Sequence, residues 1–262
     1  MKFRIASLLL AVCALFLCGC GERNAVDPET YAVLSGLVSA VDAEQRFCTD
    51  FLMETTFSDP STGKSSILYF LDGRASCDRT EKKAFQDYKV TVLGASIHAH
   101  EYLSESRRVH EVDGNATLLD AEIDESLSAF PYSRISLPPI ETLRSLVSPD
   151  TPDGSYTLVW AEGQKQLIED TWKLNLYSIA RVVVPDETKE RFGEVTCVLT
   201  VKGGKLSSMT WTLTATIYED PGYTPGYTAK DEDCRLDLSI RVKQTFVSFG
   251  EDVEIPVYEG NL

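Results

Sequence analysis

The chain has 262 residues, of which 40 are Asp or Glu and 25 are Lys or Arg, so its formal net charge at pH 7 is −15. This charge would repel nucleic-acid phosphates and anionic lipid headgroups, which argues against a protein that binds DNA, RNA or a charged bilayer surface. A hydrophobic content of 43% allows a packed core and excludes a wholly disordered chain.

The first residues have the pattern of a secretory signal. Lys2 and Arg4 precede an apolar run over 5–17, which is shorter than the roughly 20 residues that a helix needs to cross a bilayer. The run ends in Leu-Cys-Gly-Cys at 17–20, which resembles the lipobox of bacterial lipoproteins. The resemblance implies cleavage before Cys20, a diacylglyceryl group on its sulfur, and a place in the cell envelope outside the cytoplasm. Without lipidation, the same residues would begin a plain secreted protein or form a buried N-terminal helix.

We therefore divide the chain into a signal peptide (1–19), a lipidated tether (20–27) and a single domain (28–262). The domain begins with a helix. Asp27 is a good N-cap, Pro28 suits the first helical position, and apolar residues follow at helical spacing as far as Val41.

The middle of the chain alternates between short strands and turns. In the strand over 45–57, Phe47, Phe51 and Met53 share one side at period two. The same pattern predicts further strands over 67–71, 89–93, 95–103, 107–112, 116–123 and 156–160. It also predicts two helices, over 138–147 and 164–174.

The last seventy residues or so predict an antiparallel sheet that is covered on one side only. Apolar and polar residues alternate over 195–201, 209–217 and 236–246. A loop at 203–205 places Cys197 opposite Trp211 across the first hairpin.

Four cysteines remain after the signal and the anchor: Cys48, Cys77, Cys197 and Cys234. An even number outside the cytoplasm permits disulfides. Cys197 and Cys234 lie too far apart along the predicted sheet to bond. Cys48 faces Cys77 in one register of the first hairpin, so this pair is a possible disulfide, whereas the neighbouring registers put the two residues on opposite faces.

The order of these elements resembles the half-barrel family of the lipoprotein carrier LolA and the mycobacterial lipoprotein LppX. The closing run over 246–256, with a strand, a Phe, a short break and an apolar-x-Pro, strengthens the resemblance. The family implies an α+β domain in which a curved antiparallel sheet wraps two or three helices around a cavity for acyl chains. Eight apolar residues would line that cavity, unless they simply form a packed core: Phe47, Phe51, Met53, Leu199, Trp211, Leu213, Leu238 and Ile240.

All three histidines fall between positions 98 and 110. His98 and His100 point to the same face of a strand, and a hairpin turning near Glu105 would bring His110 beside them. Three imidazoles on one face could bind zinc. The other interpretation is three solvated side chains on a polar face. A doubled Pro-Gly-Tyr turn at 221–227 could contact a protein partner.

The first functional hypothesis is therefore a membrane-anchored lipoprotein that binds an apolar or lipid-like ligand without catalysis and without a cofactor. The second is a structural or sensory envelope module that binds a protein partner. The third is a zinc-dependent enzyme at the histidine cluster.

Overall fold

A computed structural model of the chain describes residues 26–104, 107–120, 122–160, 189–218 and 235–260. Within these residues there are two α-helices, α1 (Pro28–Ala43) and α2 (Ile123–Ser128). The described strands are β1 (Arg46–Asp59), β2 (Lys64–Asp78), β3 (Lys83–Val92), β4 (Ala95–Ser104), β5 (Arg107–Val112), β6 (Asn115–Leu119), β7 (Leu143–Val147), β8 (Gly154–Trp160), β9 (Lys189–Lys202), β10 (Lys205–Tyr218) and β11 (Arg235–Phe249).

The described strands form one open, curved antiparallel sheet. Its order is β6-β5-β4-β3-β2-β1-β11-β10-β9-β8-β7. All paired strands are consecutive in sequence except β1 and β11, which pair near the centre, and β6 and β7 form the two edges. The predicted curved antiparallel sheet is confirmed. Pairing of the first and last long strands joins an N-terminal and a C-terminal meander into a single layer.

Helix α1 covers one face of this sheet, which we call the inner face, and the opposite side is the outer face. The Asp27 carboxylate accepts hydrogen bonds from the backbone N–H groups of Glu29 (3.2 Å) and Thr30 (3.1 Å), so the predicted N-cap is confirmed. Leu34 and Val38 are the buried residues of the helix, and they pack in the core formed by β1 and β8 to β11.

The register of the C-terminal meander agrees with the sequence analysis. Cys197 lies opposite Trp211, and Trp211 lies opposite Val242 on the other side. The β9–β10 turn is shorter than predicted, because Lys202 already pairs with Lys205, and an irregularity between Leu206 and Ser208 restores the expected register.

The predicted disulfide between Cys48 and Cys77 is wrong. In the β1–β2 hairpin Phe47, not Cys48, lies opposite Cys77, and both cysteines are free and buried. Because side chains alternate between faces along a strand, this difference of one residue places the two thiols on opposite sides of the sheet. Burial raises the pKa of the Cys77 thiol to about 12.

The predicted helix over 138–147 is also wrong. Only Ile140–Thr142 form a short 3-10 helix, and Leu143–Val147 form strand β7 on the edge beside β8. The indole Nε1–H of Trp160 donates to the Thr142 hydroxyl (3.0 Å). The helix prediction rested on the spacing of only three apolar residues, and a short helix has little stability of its own. The hydrogen bonds that β7 forms with β8 therefore decide the conformation of this segment. Helix α2 was missed, and the predicted helix over 164–174 lies outside the described residues.

Candidate functional site

The eight residues predicted to line a cavity all lie on the inner face and belong to the core. Each exposes 6% or less of its surface: Phe47, Phe51, Met53, Leu199, Trp211, Leu213, Leu238 and Ile240. Six of them pack with Leu34 and Val38 in a larger core cluster, while Phe47 and Phe51 belong to a smaller cluster with Ile123 and Tyr132. Among the described residues, the side chains of the larger cluster thus pack directly with those of α1.

A narrow cleft lies where the end of α1 approaches the sheet. Its volume is about 10 Å³, which is room for about one water molecule. An acyl chain does not fit in this cleft, so the predicted cavity is closed at this place. The cleft is lined by Val41, Asp42, Phe47, Arg79, Ser133, Ile135, Gln244 and Phe246.

Arg79 closes the cleft by joining α1 to the segment over 129–139, which we call the cover segment. Its guanidinium donates to the carbonyl oxygens of Asp42 (2.8 Å) and Glu44 (3.0 Å) at the end of α1, and to that of Tyr132 (3.1 Å). The guanidinium carbon also lies 4.8 Å from the centre of the Phe47 ring. Burial lowers the pKa of Arg79, yet several carbonyl partners compensate the charge there.

Further hydrogen bonds hold the cover segment on the inner face. The Asp42 carboxylate accepts from the backbone N–H of Ile135 (2.9 Å), and the buried amide of Gln244 donates to the carbonyl of Pro131 (3.0 Å). These backbone contacts add to side-chain packing, because Ile135 belongs to the larger core cluster and Tyr132 to the smaller one. The cover segment is therefore held by both polar and apolar contacts.

Beside the closed core, the inner face of β2 to β4 carries an apolar surface that is only partly covered. We call it the inner shelf, and it consists of Tyr69, Leu71, Val90, Val92 and Ile97. Tyr69 lies opposite Val92, and Val90 lies between Leu71 and Ile97 across the three strands. Ile97 exposes 48% of its surface, while the other four residues are half-buried. Tyr69 and Leu71 also pack against the larger core cluster, so the shelf continues the core toward solvent.

The sequence analysis did not find the inner shelf. Its strand over 67–71 is apolar on both faces, so the pattern does not tell which face points inward. The strand over 89–93 contains Val90 and Val92 at period two, which is the only signal that the sequence offers.

A buried polar cluster adjoins the inner shelf on β3 to β5. The Tyr88 hydroxyl and His110 Nε2 are 2.9 Å apart, and Arg108 donates to the buried carboxylate of Glu101 at 2.6 Å. Tyr132 of the cover segment lies over this cluster, where burial and the charge of Glu101 raise the pKa of its hydroxyl. Among the described residues, neither the Tyr132 hydroxyl nor Arg108 Nε has a hydrogen-bond partner. This unmet hydrogen-bonding capacity makes the cluster a candidate for contact with a polar group.

The structure separates the three histidines. His98 and His100 share the outer face, and their ring centres are 5.0 Å apart, as predicted for alternate residues of a strand. His110 lies opposite Glu101 instead of His100, so it points to the inner face. The prediction of a zinc site built from all three imidazoles is therefore wrong. Asp87, and not His110, lies beside His98 and His100.

Several predicted features lie outside the described residues: the anchor Cys20, Cys234 and the tyrosine-rich turn at 221–227. Among the residues that are described, no helix combines the length and the apolar character needed to cross a membrane.

Comparisons with known proteins add little to this geometry. No protein-family model matches the chain, and no curated protein matches it. Of solved structures, LprF from Mycobacterium bovis is similar with 11% identity and a TM-score of 0.42 over 88% of this chain and 98% of that one. A DUF1329 family protein from Desulfovibrio piger has 8% identity and a TM-score of 0.28 over 88% and 96% of the two chains. The ywiB protein from Bacillus subtilis has 6% identity and a TM-score of 0.20 over 80% and 99%. Because all three TM-scores are below 0.5, we base no functional argument on them.

Proposed function

We propose that the chain is a lipid-anchored protein of the cell envelope whose domain binds an apolar or lipid-like ligand on the inner shelf, without catalysing a reaction. The lipobox-like residues before and at Cys20 support the anchor. The net charge of −15 supports it as well, because such a domain would not adhere to an anionic bilayer through its own surface.

The observation that carries the ligand proposal is the half-exposed inner shelf. Ile97 and its neighbours are apolar, contiguous with the core and on the same face as α1. Ile97 is about half exposed and the other four residues are less exposed. A ligand that covered the remaining exposed part of these side chains would contribute on the order of 3 kcal/mol, taking ~1.5–3 kcal/mol for complete burial of each. This corresponds at best to an affinity in the millimolar range, before the cost of association.

Tight binding therefore requires contacts beyond the shelf. The polar cluster around Tyr88 and Tyr132 is the nearest source, because it can donate and accept hydrogen bonds. This combination fits an amphiphile with an apolar body and a polar head.

Photo-crosslinking in a membrane tests this proposal. Full-length protein is reconstituted in phosphatidylcholine vesicles with palmitic acid that carries a diazirine group, and the crosslinked peptides are mapped by mass spectrometry. We expect crosslinks on β3 and β4 around the inner shelf. Ile97→Lys should remove most of this labelling, because it places a charge on the apolar surface.

Leu118→Lys on strand β6 is the matched control. Leu118 exposes 50% of its surface, close to the 48% of Ile97, but it lies opposite Val109 on the outer face. Labelling that survives Ile97→Lys, or that falls equally in both variants, contradicts the proposal. Urea unfolding of both variants checks that the fold is retained.

The packing of Leu34 and Val38 directly with core residues favours a second function, an envelope module that binds a protein partner. In that case the probe would label no inner-face peptide. Treatment of intact cells with a lysine crosslinker would then join the chain to another protein.

A further inference from the structure

Three potential metal ligands converge on the outer face of the β3–β4 hairpin. Asp87, His98 and His100 each offer one ligand atom, and these atoms all lie within 4.8 Å of one another. Nε2 of His98 is 2.6 Å from an oxygen of Asp87, and Nε2 of His100 is 3.4 Å from the same oxygen. The site is on the opposite side of the sheet from the inner shelf, so it is independent of the proposed ligand.

The hairpin itself brings these groups together. Asp87 lies directly opposite His100, and His98 is two residues earlier on β4, so all three side chains project from the same face. The two imidazole rings meet at 79° between their planes, which lets both Nε2 atoms approach one point beside the carboxylate. Phe85 and Tyr102 pack around His100, with ring centres 6.0 and 6.4 Å from it, and limit the positions of its ring.

The surrounding charges favour a cation at this point. Glu111 lies opposite His100 on β5 and adds a second carboxylate to the row. Arg74, which lies opposite Asp87 on β2, forms its salt bridge with Asp50 at 2.7 Å instead. Lys89 lies opposite His98 and is also positively charged, but it is exposed and its ammonium group can extend into water.

We infer that Asp87, His98 and His100 form a binding site for a divalent transition metal ion of the Zn²⁺ type. Two imidazole nitrogens and one carboxylate oxygen suit zinc, and water would complete a tetrahedral shell. All three residues are partly exposed, with His98 at 58% and His100 at 32% side-chain exposure, so an ion can reach the site from solvent. Without metal, His98 forms a hydrogen bond with the Asp87 carboxylate, and His100 Nε2 lies close to the same oxygen.

Zinc affinity of the full-length, untagged protein tests this inference. Affinity is measured in detergent by competition with a chromophoric chelator, for the wild type and for His98→Gln, His100→Gln and Asp87→Asn. We expect one equivalent of Zn²⁺, and a loss of at least about tenfold in affinity in each variant, since loss of even an indirect partner of a metal ligand costs 10–100-fold. His110→Gln is the matched control, because it removes the third histidine from the inner face and should leave the affinity unchanged.

Proton NMR of the histidine rings separates this site from the cysteine thiols, which also bind zinc. The chain has three histidines, so their ring signals can be assigned from the single variants. One equivalent of Zn²⁺ should shift the signals of His98 and His100 and leave those of His110 in place. Binding that persists in His98→Gln and His100→Gln, equal loss in His110→Gln, or zinc uptake without a shift of the His98 and His100 signals would overturn the inference.

Discussion

Replacement of Leu34 by Ala tests whether α1 is part of the core. Leu34 is 1% exposed and packs in the larger core cluster, whereas Val33 beside it is 63% exposed. Leu→Ala removes three carbon atoms, which at ~0.8 kcal/mol each amounts to about 2.4 kcal/mol of transfer free energy. The cavity left behind raises the expected loss to between about 2.5 and 5 kcal/mol.

The free energy of unfolding of the full-length protein is measured by urea titration in detergent, followed by tryptophan fluorescence. Trp211 reports directly on the region, because it belongs to the same cluster. Val33→Ala is the control and should change stability by no more than about 0.5 kcal/mol. A thermal scan should show a decrease of roughly 5–20 °C for Leu34→Ala, taking ~2–4 °C per kcal/mol for a domain of this size. Equal effects of the two substitutions would mean that α1 does not pack on the sheet through Leu34.

Three further predictions concern two glycines and the two cysteines of the β1–β2 hairpin. Gly73→Ala should destabilise the protein by more than about 2 kcal/mol, because a Cβ there would lie 2.3 Å from the Asp87 carbonyl oxygen. Gly36→Ala in α1 has nothing within 4 Å of its Cβ and should stabilise the protein by ~0.5–1 kcal/mol. Urea unfolding that ranks the two variants in the opposite order would contradict this. In denaturant without reductant, iodoacetamide should alkylate both Cys48 and Cys77, and a peptide pair linked by a disulfide would contradict the observed register. Burial raises the pKa of Cys77 to about 12. The neutral thiol therefore contributes its full stability below the unfolded thiol pKa of ~8.5, and this contribution is lost as the pH rises toward 12. Cys77→Ala should flatten this alkaline decline in stability when unfolding is measured as a function of pH.

The long strands of the C-terminal meander could be predicted well because one of their faces is buried and the other is exposed to solvent. That contrast determines which residues point inward, and parity then allows few registers. Cys197 and Trp211 do lie opposite each other. Helix α1 was equally clear, since its N-cap and its apolar spacing are local signals that need no knowledge of the rest of the chain.

Both errors of register arose where a short turn had to be guessed. The β1–β2 pairing differs by one residue from the register that would join Cys48 and Cys77, and the β4–β5 pairing differs by one from that which would place His110 beside His100. A shift of one residue moves every side chain of a strand to the other face. The two shifts therefore exclude the predicted disulfide and the predicted three-histidine site. The predicted strands over 45–57, 95–103 and 107–112 agree closely with β1, β4 and β5, whereas the predicted strand over 67–71 covers only part of β2 and leaves out Cys77.

By itself, the sequence determined the local properties of the chain: the negative charge, the lipobox-like start, the helix after Asp27 and the alternation of the long strands. Only the tertiary structure decided which faces meet. It packed Leu34 and Val38 of α1 with core side chains, left Ile97 and its neighbours partly exposed, and set Asp87 beside His98 and His100. The physical reason is that periodicity reports how a strand divides its residues between two faces. The partner of each face is chosen by pairing with strands that are distant in sequence, such as β1 with β11.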